Sequence, residues 1–287
     1  MIDNSKVMVT GSDGFIGSNL VRELKKRKAH VTRVDITRDI DITDRRKLSV
    51  AMVGVKYVFH MAVLPYGPCS LLPRKCIDVN IIGTLNVLKA ACEAKVKKVV
   101  YSSASAVYGN IDFVGNVDER QPLNAESLYG ASKIMGELLV RSVCEANGID
   151  YVILRYMNVY GSGQKNGLIP ALLNCVADKR PPVIYGDGRQ AYDFVNVRDV
   201  VRANVLAAES DVSGEAFNIG GGNDISVNEV VRIILKVADS DMVPTYEKKD
   251  KSFERRVGNS LKAKRLLGYE PLVKFNEGIG GLLNCRK

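Results

Sequence analysis

The sequence predicts an α/β fold: a doubly wound parallel sheet with a smaller C-terminal α/β lobe. Three observations predict it. Short apolar, β-branched runs alternate with segments of helical periodicity as far as residue 155. A glycine turn, Gly11-Ser12-Asp13-Gly14-Phe15-Ile16-Gly17, joins the first run to the first helical segment. Beyond residue 160 the alternation gives way to stretches punctuated by Gly and Pro.

Taken in order, the strands are expected at "KVMVT" (6–10), "HVTRVD" (30–35), "KYVFH" (56–60), "KKVVYSS" (97–103) and "DYVILR" (150–155). Helical periodicity covers 14–28, 74–94 and 126–147. Strands alternating with helices imply a parallel, Rossmann-like sheet covered on both faces. Only five residues separate Asp35 from Asp41 in "DIDITD", where a parallel crossover takes a dozen or more. A truncated third strand or crossover helix is therefore expected there. Further on, "YGSGQKNG", "KRPPVIYGDGRQ" and "NIGGGND" read as turns, and Ser226 with Glu229 forms a capping-box signal opening a helix near "VNEVVRIILKVA". The expected division is a cofactor-binding domain over 1–163, to which 193–220 returns, and a substrate lobe from 164–192 and 221–287.

A chain of 287 residues can bury a sizeable core, and 46% hydrophobic with 25% charged residues is an ordinary globular balance. No apolar run reaches the roughly 18 residues of a membrane span, and "MIDNSKVMVTGSDG" enters a strand directly; a cytoplasmic protein is expected. The cysteines at 69, 76, 92, 144, 175 and 285 lack metal-ligand spacing and are expected as reduced thiols, several of them buried, with no metal site. The net charge of +9 is spread over "KKRK" (25–28), "KVKK" (95–98), "EKKDK" (247–251) and "KAKR" (262–265). These clusters are far apart and carry no interleaved aromatics, so solvated surface is favoured over a nucleic-acid partner. The first two fall at expected helix ends, where cations favour the dipole. A positive field also suits an anionic substrate such as a nucleotide diphosphate.

The glycines of the turn each meet a physical need, respectively a tight bend, close approach of backbone to a pyrophosphate, and close packing of helix on strand. The N-H groups opening the helix then face the anion. Asp35, closing the second strand, would accept from a ribose 2′-hydroxyl and repel a 2′-phosphate, which favours NAD over NADP, with Arg33 beside it as the opposing sign. In "ESLYGASKIMGELL", Tyr129 and Lys133 stand at i and i+4 on one helix face. Spacing alone would fit an amphipathic helix whose Tyr and Lys border the core. Beside a cofactor the pair gains meaning: lowering a phenol from about 10 to about 7 takes roughly 4 kcal/mol. A cation about 4 Å away at an effective dielectric of about 20 supplies about that much. Tyr129 is then a general base for an alcohol.

The glycine turn, "DITD" (41–44), "FHMAV" (59–63), "VYSSASAVYG", "YGASK", "LRYMNVYG" (154–161), "YGDGRQAYDFVNVRDV" (185–200) and "RRVGNSLKAKRLLGYEP" (255–271) occur in order over nearly the whole chain. Together they resemble the extended short-chain dehydrogenase/reductase family, in particular its NAD-dependent nucleotide-sugar epimerases and dehydratases. The resemblance implies a tightly bound NAD, a nucleoside-diphosphate sugar, transient oxidation at the sugar C4 and a homodimer built on the helices near 78–94 and 126–147. By position, Gly11, Gly14, Phe15, Ile16 and Gly17 would hold the pyrophosphate, Asp35 the adenosine ribose, Asp41 and Ile42 the adenine edge, and Met61 and Ala62 the middle of the cofactor. Tyr129 would be the base, with Lys133 on the nicotinamide ribose. Asn158 would meet the substrate near its diphosphate, and Arg189 and Arg256 its phosphates, with Arg255 as the alternative to Arg256.

The resemblance also exposes a departure. Its catalytic serine or threonine stands four residues before the tyrosine of V-Y-G, which here is Ala104. Ser103 or Ser105 would compensate if the strand end were bulged by one residue. The dehydratases carry an Asp-Glu pair where Ser105 and Ala106 stand, and the decarboxylases a glutamate at Ala106, so elimination and decarboxylation lack their acid/base group. C4 epimerisation requires less and is the leading reading, with a dehydratase or reductase as runner-up. A nucleotide-binding sensor that has lost its chemistry is the alternative from another class. Val257 lies near where related epimerases place a bulky gate, which leaves room for an N-acetylated sugar.

Overall fold

The computed structural model describes residues 2–110, 115–248 and 255–284. Its first half runs β1 (Lys6–Thr10), α1 (Phe15–Lys26), β2 (His30–Val34), α2 (Arg45–Met52), β3 (Tyr57–His60), α3 (Tyr66–Leu71), α4 (Pro73–Ile77), a π-helical turn, α5 (Thr84–Glu93), β4 (Lys98–Ala104), α6 (Leu128–Asn147) and β5 (Asp150–Tyr156). The second half runs β6 (Asn158–Tyr160), α7 (Leu168–Ala177), β7 (Val183–Tyr185), β8 (Ala191–Tyr192), β9 (Phe194–Asn196), α8 (Val197–Glu209) and β10 (Glu215–Ile219). It ends with β11 (Ile225–Ser226), α9 (Val227–Val237), β12 (Thr245–Glu247), β13 (Arg255–Arg256), α10 (Leu261–Leu267) and α11 (Phe275–Asn284).

The main sheet has the order β10-β5-β4-β3-β1-β2 and is parallel throughout, the doubly wound arrangement expected. Side chains alternate across it. Val7 and Val9 join the core beneath α1 and α8, whereas Met8 between them joins the core beneath α2, α5 and α6. A third core gathers Leu172, Val230, Ile234, Phe275 and Ile279 from α7, α9 and α11. The strand order reverses at β1, with β2 on one side and β3 on the other, and the carboxyl ends there open the crevice in which ligands of such sheets bind. The capping box at α9 is present in both directions, Ser226 with Glu229.

Of the two truncations expected, the third strand is whole, β3 at Tyr57–His60, and the crossover helix is the short element: the crossover runs through a 3₁₀ turn at Ile36–Arg38 and the two-turn helix α2, whose N-cap Asp44 accepts from the Lys47 N-H. Two other expectations change. Cys69 and Cys76 are joined in a disulfide, because Leu72 (φ −130°, ψ 69°) breaks the helix ahead of Pro73 and folds α4 back on α3 with the two Cα atoms 4.9 Å apart. Cys92, Cys144 and Cys175 are free thiols, and Cys285 lies outside the described residues. Lys98 of the second basic cluster is buried, not solvated, its ammonium donating to the carbonyls of Ser210 and Val212 past the end of α8. Part of "EKKDK" lies outside the described residues. Among the described residues no helix is long and apolar enough to cross a membrane.

Candidate active site

A cavity of about 550 Å³ lies along the carboxyl ends of β1, β2 and β3. Gly11, Gly14, Phe15, Ile16 and Gly17 form one wall. The glycines are required by space: a Cβ on Gly11, which has φ +63°, would stand 2.8 Å from Ala62 backbone, and one on Gly17 would stand 2.0 Å from the Gly11 carbonyl oxygen. Gly14 opens α1 without a side-chain cap, so the first N-H groups of the helix stay available to an anion. Asp35, Asp41 and Ile42 border the far end, and Met61 and Ala62 the middle. The Asp35 carboxylate is held in place by the N-H groups of Asp13 (3.0 Å) and Thr37 (3.1 Å). Arg33 and Arg38 are both drawn onto the Asp13 carboxylate, so neither counters the negative charge that Asp35 presents to a 2′-phosphate. The donor set, the glycine cradle and the acid at the end of β2 fit NAD.

Tyr129 and Lys133 reach this cavity from α6, which begins at the Ser127 N-cap. Lys133 is buried, its ammonium 4.5 Å from the centre of the Tyr101 ring, and Gly136 one turn on leaves the space that the Tyr101 hydroxyl fills. Burial decides both titrations. It pushes the Tyr129 phenol up to about 12 and the Lys133 ammonium down to about 7, the latter partly offset by the Glu137 carboxylate. In the protein without cofactor, burial thus moves the phenol upward, away from the neutral range expected beside Lys133.

A second cavity, about 850 Å³, adjoins the first, and Ala104, Tyr129, Tyr156 and Met157 border both. Asn158, Arg189 and Arg256 stand on its wall, as does Ser105. Arg189 is exposed and paired with Asp187. The alternative, Arg255, is committed elsewhere, to Asp224 and the Gly115 carbonyl. Val257 is buried and, among the described residues, is not part of the wall. Pairing of β4 with β5 runs in unbroken register to Ala104 opposite Tyr156, so the strand end has no bulge. The Ser103 hydroxyl, although beside the cofactor cavity, donates to Glu137, which also receives Arg155 through Nε (3.0 Å) and Nη2 (2.7 Å).

Sequence reasoning did not find Tyr66. Its ring lies edge-on to Tyr129 with centroids 6.4 Å apart, on the wall of the larger cavity. The signal was present: "LPYGP", with its proline and glycine, reads as a turn a few residues after the "KYVFH" strand, at the sheet edge where ligands bind. Glu126, three residues ahead of Tyr129, is an exposed carboxylate on the same wall, accepting the Asn110 N-H.

Residues 7–220 match the model of the NAD dependent epimerase/dehydratase family. The crystal structure of UDP-glucose 4-epimerase from Thermotoga maritima with UDP-glucose superposes with a TM-score of 0.92 at 30% identity, covering 97% of each chain. UDP-N-acetylglucosamine 4-epimerase from Methanobrevibacter ruminantium, in complex with UDP-N-acetylmuramic acid, gives 0.91 at 30% identity over 98% of each chain. A UDP-N-acetyl-alpha-D-glucosaminuronate decarboxylase of Bacillus cytotoxicus is 30% identical over 96% of this chain and 95% of its own. With the glycine turn, Tyr129 and Lys133 placed on one crevice, this protein belongs to the NAD-dependent epimerase/dehydratase family.

Proposed function

We propose that the protein is a nucleotide-sugar 4-epimerase, acting on a UDP-hexose through a 4-keto sugar. One observation carries this reading: Tyr129 stands on the wall shared by the cofactor-sized and the larger cavity, where a sugar in one would meet a nicotinamide in the other. NAD, when bound, supplies reversible hydride acceptance at the sugar carbon. Tyr129, as its phenolate, would take the O4 proton on the outward step, becoming the phenol that returns the proton on the way back. Lys133, at the inner end of the same helix face, hydrogen-bonds the cofactor ribose and biases Tyr129 toward its ionised form when charged. Asn158, Arg189 and Arg256 hold the diphosphate region.

Small, uncharged side chains at Ala104, Ser105 and Ala106 support epimerisation over dehydration. They leave a sugar room to turn over, and no carboxylate stands there to move the C5 and C6 protons. Glu126 is exposed and engaged with the Asn110 backbone. Of the two serines expected to stand in for Ala104, Ser105 is the one on the larger cavity. On this reading the chain divides into a cofactor domain over 1–163 with 193–220, and a substrate lobe from 164–192 and 221–287; the pairing of β10 with β5 on the main sheet supports that division. A cytoplasmic homodimer joined through α5 and α6 completes the reading, supported by the exposed Ile82, Met135 and Leu138 on those helices and the turn before them.

The test is proton NMR of the protein with UDP-glucose, UDP-N-acetylglucosamine and dTDP-glucose. The C4 epimer of a UDP-sugar is expected; a 4-keto-6-deoxy product would replace epimerase by dehydratase, and no product from any sugar with NAD firmly bound would favour a sensor. Tyr129→Phe is expected to keep its NAD and lose turnover.

A further inference from the structure

Position 104 lacks the hydroxyl that an epimerase uses beside its tyrosine, and the neighbouring strand hydroxyls do not replace it. Ser103 is bound to Glu137. The Ser102 hydroxyl lies at the Tyr156 phenol. Ser127 is occupied as N-cap, accepting the Gly130 N-H at 3.1 Å. Ser105 also borders the larger cavity, but Ala104 is extended (φ −147°, ψ 153°), so the Ser105 side chain leaves the strand on the side opposite to that of Ala104.

Tyr66 offers a hydroxyl from the other direction. It stands on the larger cavity with its ring edge-on to Tyr129, and among the described residues its phenol has no hydrogen-bond partner. The residues just before it, Leu64 and Pro65, border the cofactor cavity, so Tyr66 sits where the two cavities join. Its backbone is braced. Asn80, fully buried, accepts the Leu64 N-H (2.7 Å) and donates to the Leu64 carbonyl (3.1 Å) and to Ser132 of α6 (3.0 Å). The Cys69 N-H caps back to the Pro65 carbonyl (2.9 Å), and the Cys69–Cys76 disulfide ties α3 to α4 behind it. These contacts fix the backbone at the start of α3 against the Tyr129 helix, which sets where the exposed Tyr66 side chain emerges relative to the base.

We propose that Tyr66 is a substrate-contacting residue of this enzyme, its phenol hydrogen-bonding the sugar hydroxyl beside Tyr129 in the role left open by Ala104. The assignment rests on the epimerase reading above. A positioned donor in such a site is typically worth about 10² in rate.

The experiment compares wild type with Tyr66→Phe, Ser105→Ala and Tyr66→Phe/Ala104→Ser, reading kcat and KM on the UDP-hexose turned over. Bound NAD and calorimetric affinities for UDP-hexose and UDP are read in parallel. Tyr66→Phe should lower kcat about 10²-fold with NAD content and UDP affinity unchanged, and weaken UDP-hexose binding roughly 2- to 10-fold. Ser105→Ala should lower kcat at least about tenfold less than Tyr66→Phe does, and Ala104→Ser should restore at least about tenfold of the loss in the Tyr66→Phe background. Wild-type turnover with Tyr66→Phe unimpaired, or with the loss falling on Ser105→Ala instead, overturns Tyr66 and leaves the epimerase reading intact. If wild type turns over no sugar, the epimerase reading falls; Tyr66 then stands or falls on whether Tyr66→Phe loses the preference for UDP-hexose over UDP.

Discussion

The Ser103 hydroxyl donates to the Glu137 carboxylate, so the serine nearest to Ala104 on its N-terminal side serves the buried Glu137–Arg155 pair and not the sugar. Arg155 passes the connection on to the Tyr108 hydroxyl (2.9 Å), which donates to Asn218 (2.8 Å), tying β4, α6, β5 and β10 together behind the site. Ser103→Ala is expected to cost about 1.5–3 kcal/mol of stability, the range for a hydrogen bond to a charged acceptor, while kcat changes less than about 3-fold. Urea unfolding and steady-state rates check it; a hundredfold loss of kcat with unchanged stability would return Ser103 to the catalytic group.

Lys133 and Glu137 are one helical turn apart, and the carboxylate is what limits the fall of the lysine pKa. In the protein without cofactor, the Lys133 amine should titrate near 7, read by NMR of lysine labelled at Cε. Glu137→Gln should take it below 7, because removal of the negative charge leaves burial unopposed. The sign for stability follows. Unfolded lysine keeps its proton to about 10.4, so between about 7 and that value the unfolded chain binds more protons and this group makes stability rise with pH. A midpoint near 10 would mean that water reaches the amine.

How far all this could be read beforehand depended on range. The five strands of the first half and the long helices follow from periodicity over a few residues, and β4 and β5 run only one residue past their expected ends. The glycine turn and Tyr129-x-x-x-Lys133 are local as well, and both reach the crevice. What failed was set at a distance or by a single break. The short polar helix α2 gives little periodic signal, so "DITD" passes for the neighbourhood of a strand. The disulfide depends on Leu72 reversing the chain between two cysteines. Lys98 looks like surface because the carbonyls that bind its ammonium are more than a hundred residues away. The direction of the Ser103 hydroxyl needs Glu137 on another element.

Gly17 touches the Gly11 carbonyl so closely that any Cβ there would stand 2.0 Å from the oxygen. Gly17→Ala is expected to shift the turn, costing about 1–3 kcal/mol of stability as an overpacked site and weakening NAD at least about tenfold. Gly281→Ala, in α11 with nothing within 4 Å of its Cβ, is the control and should gain up to about 1 kcal/mol from reduced chain entropy. Thermal unfolding and NAD titration of both variants test the pair. Equal behaviour of the two would remove the steric argument for the motif.

His60 ends β3 with Nδ1 2.7 Å from the Thr10 hydroxyl and Nε2 2.9 Å from that of Thr84, wholly buried. Burial, reinforced by Lys133 from α6, pushes its pKa down to about 3. Because the unfolded histidine takes a proton at about 6.5, the unfolded state binds more protons between those two values. Stability should therefore fall on acidification across that window, by about 1.4 kcal/mol per pH unit from this group and about 5 kcal/mol in all. Urea unfolding from pH 6.5 downwards should show a steeper slope in wild type than in His60→Gln, whatever the absolute stability of the variant. Identical slopes would mean that His60 is charged in the folded protein, and that the Thr10 and Thr84 hydroxyls both act as acceptors toward an imidazolium.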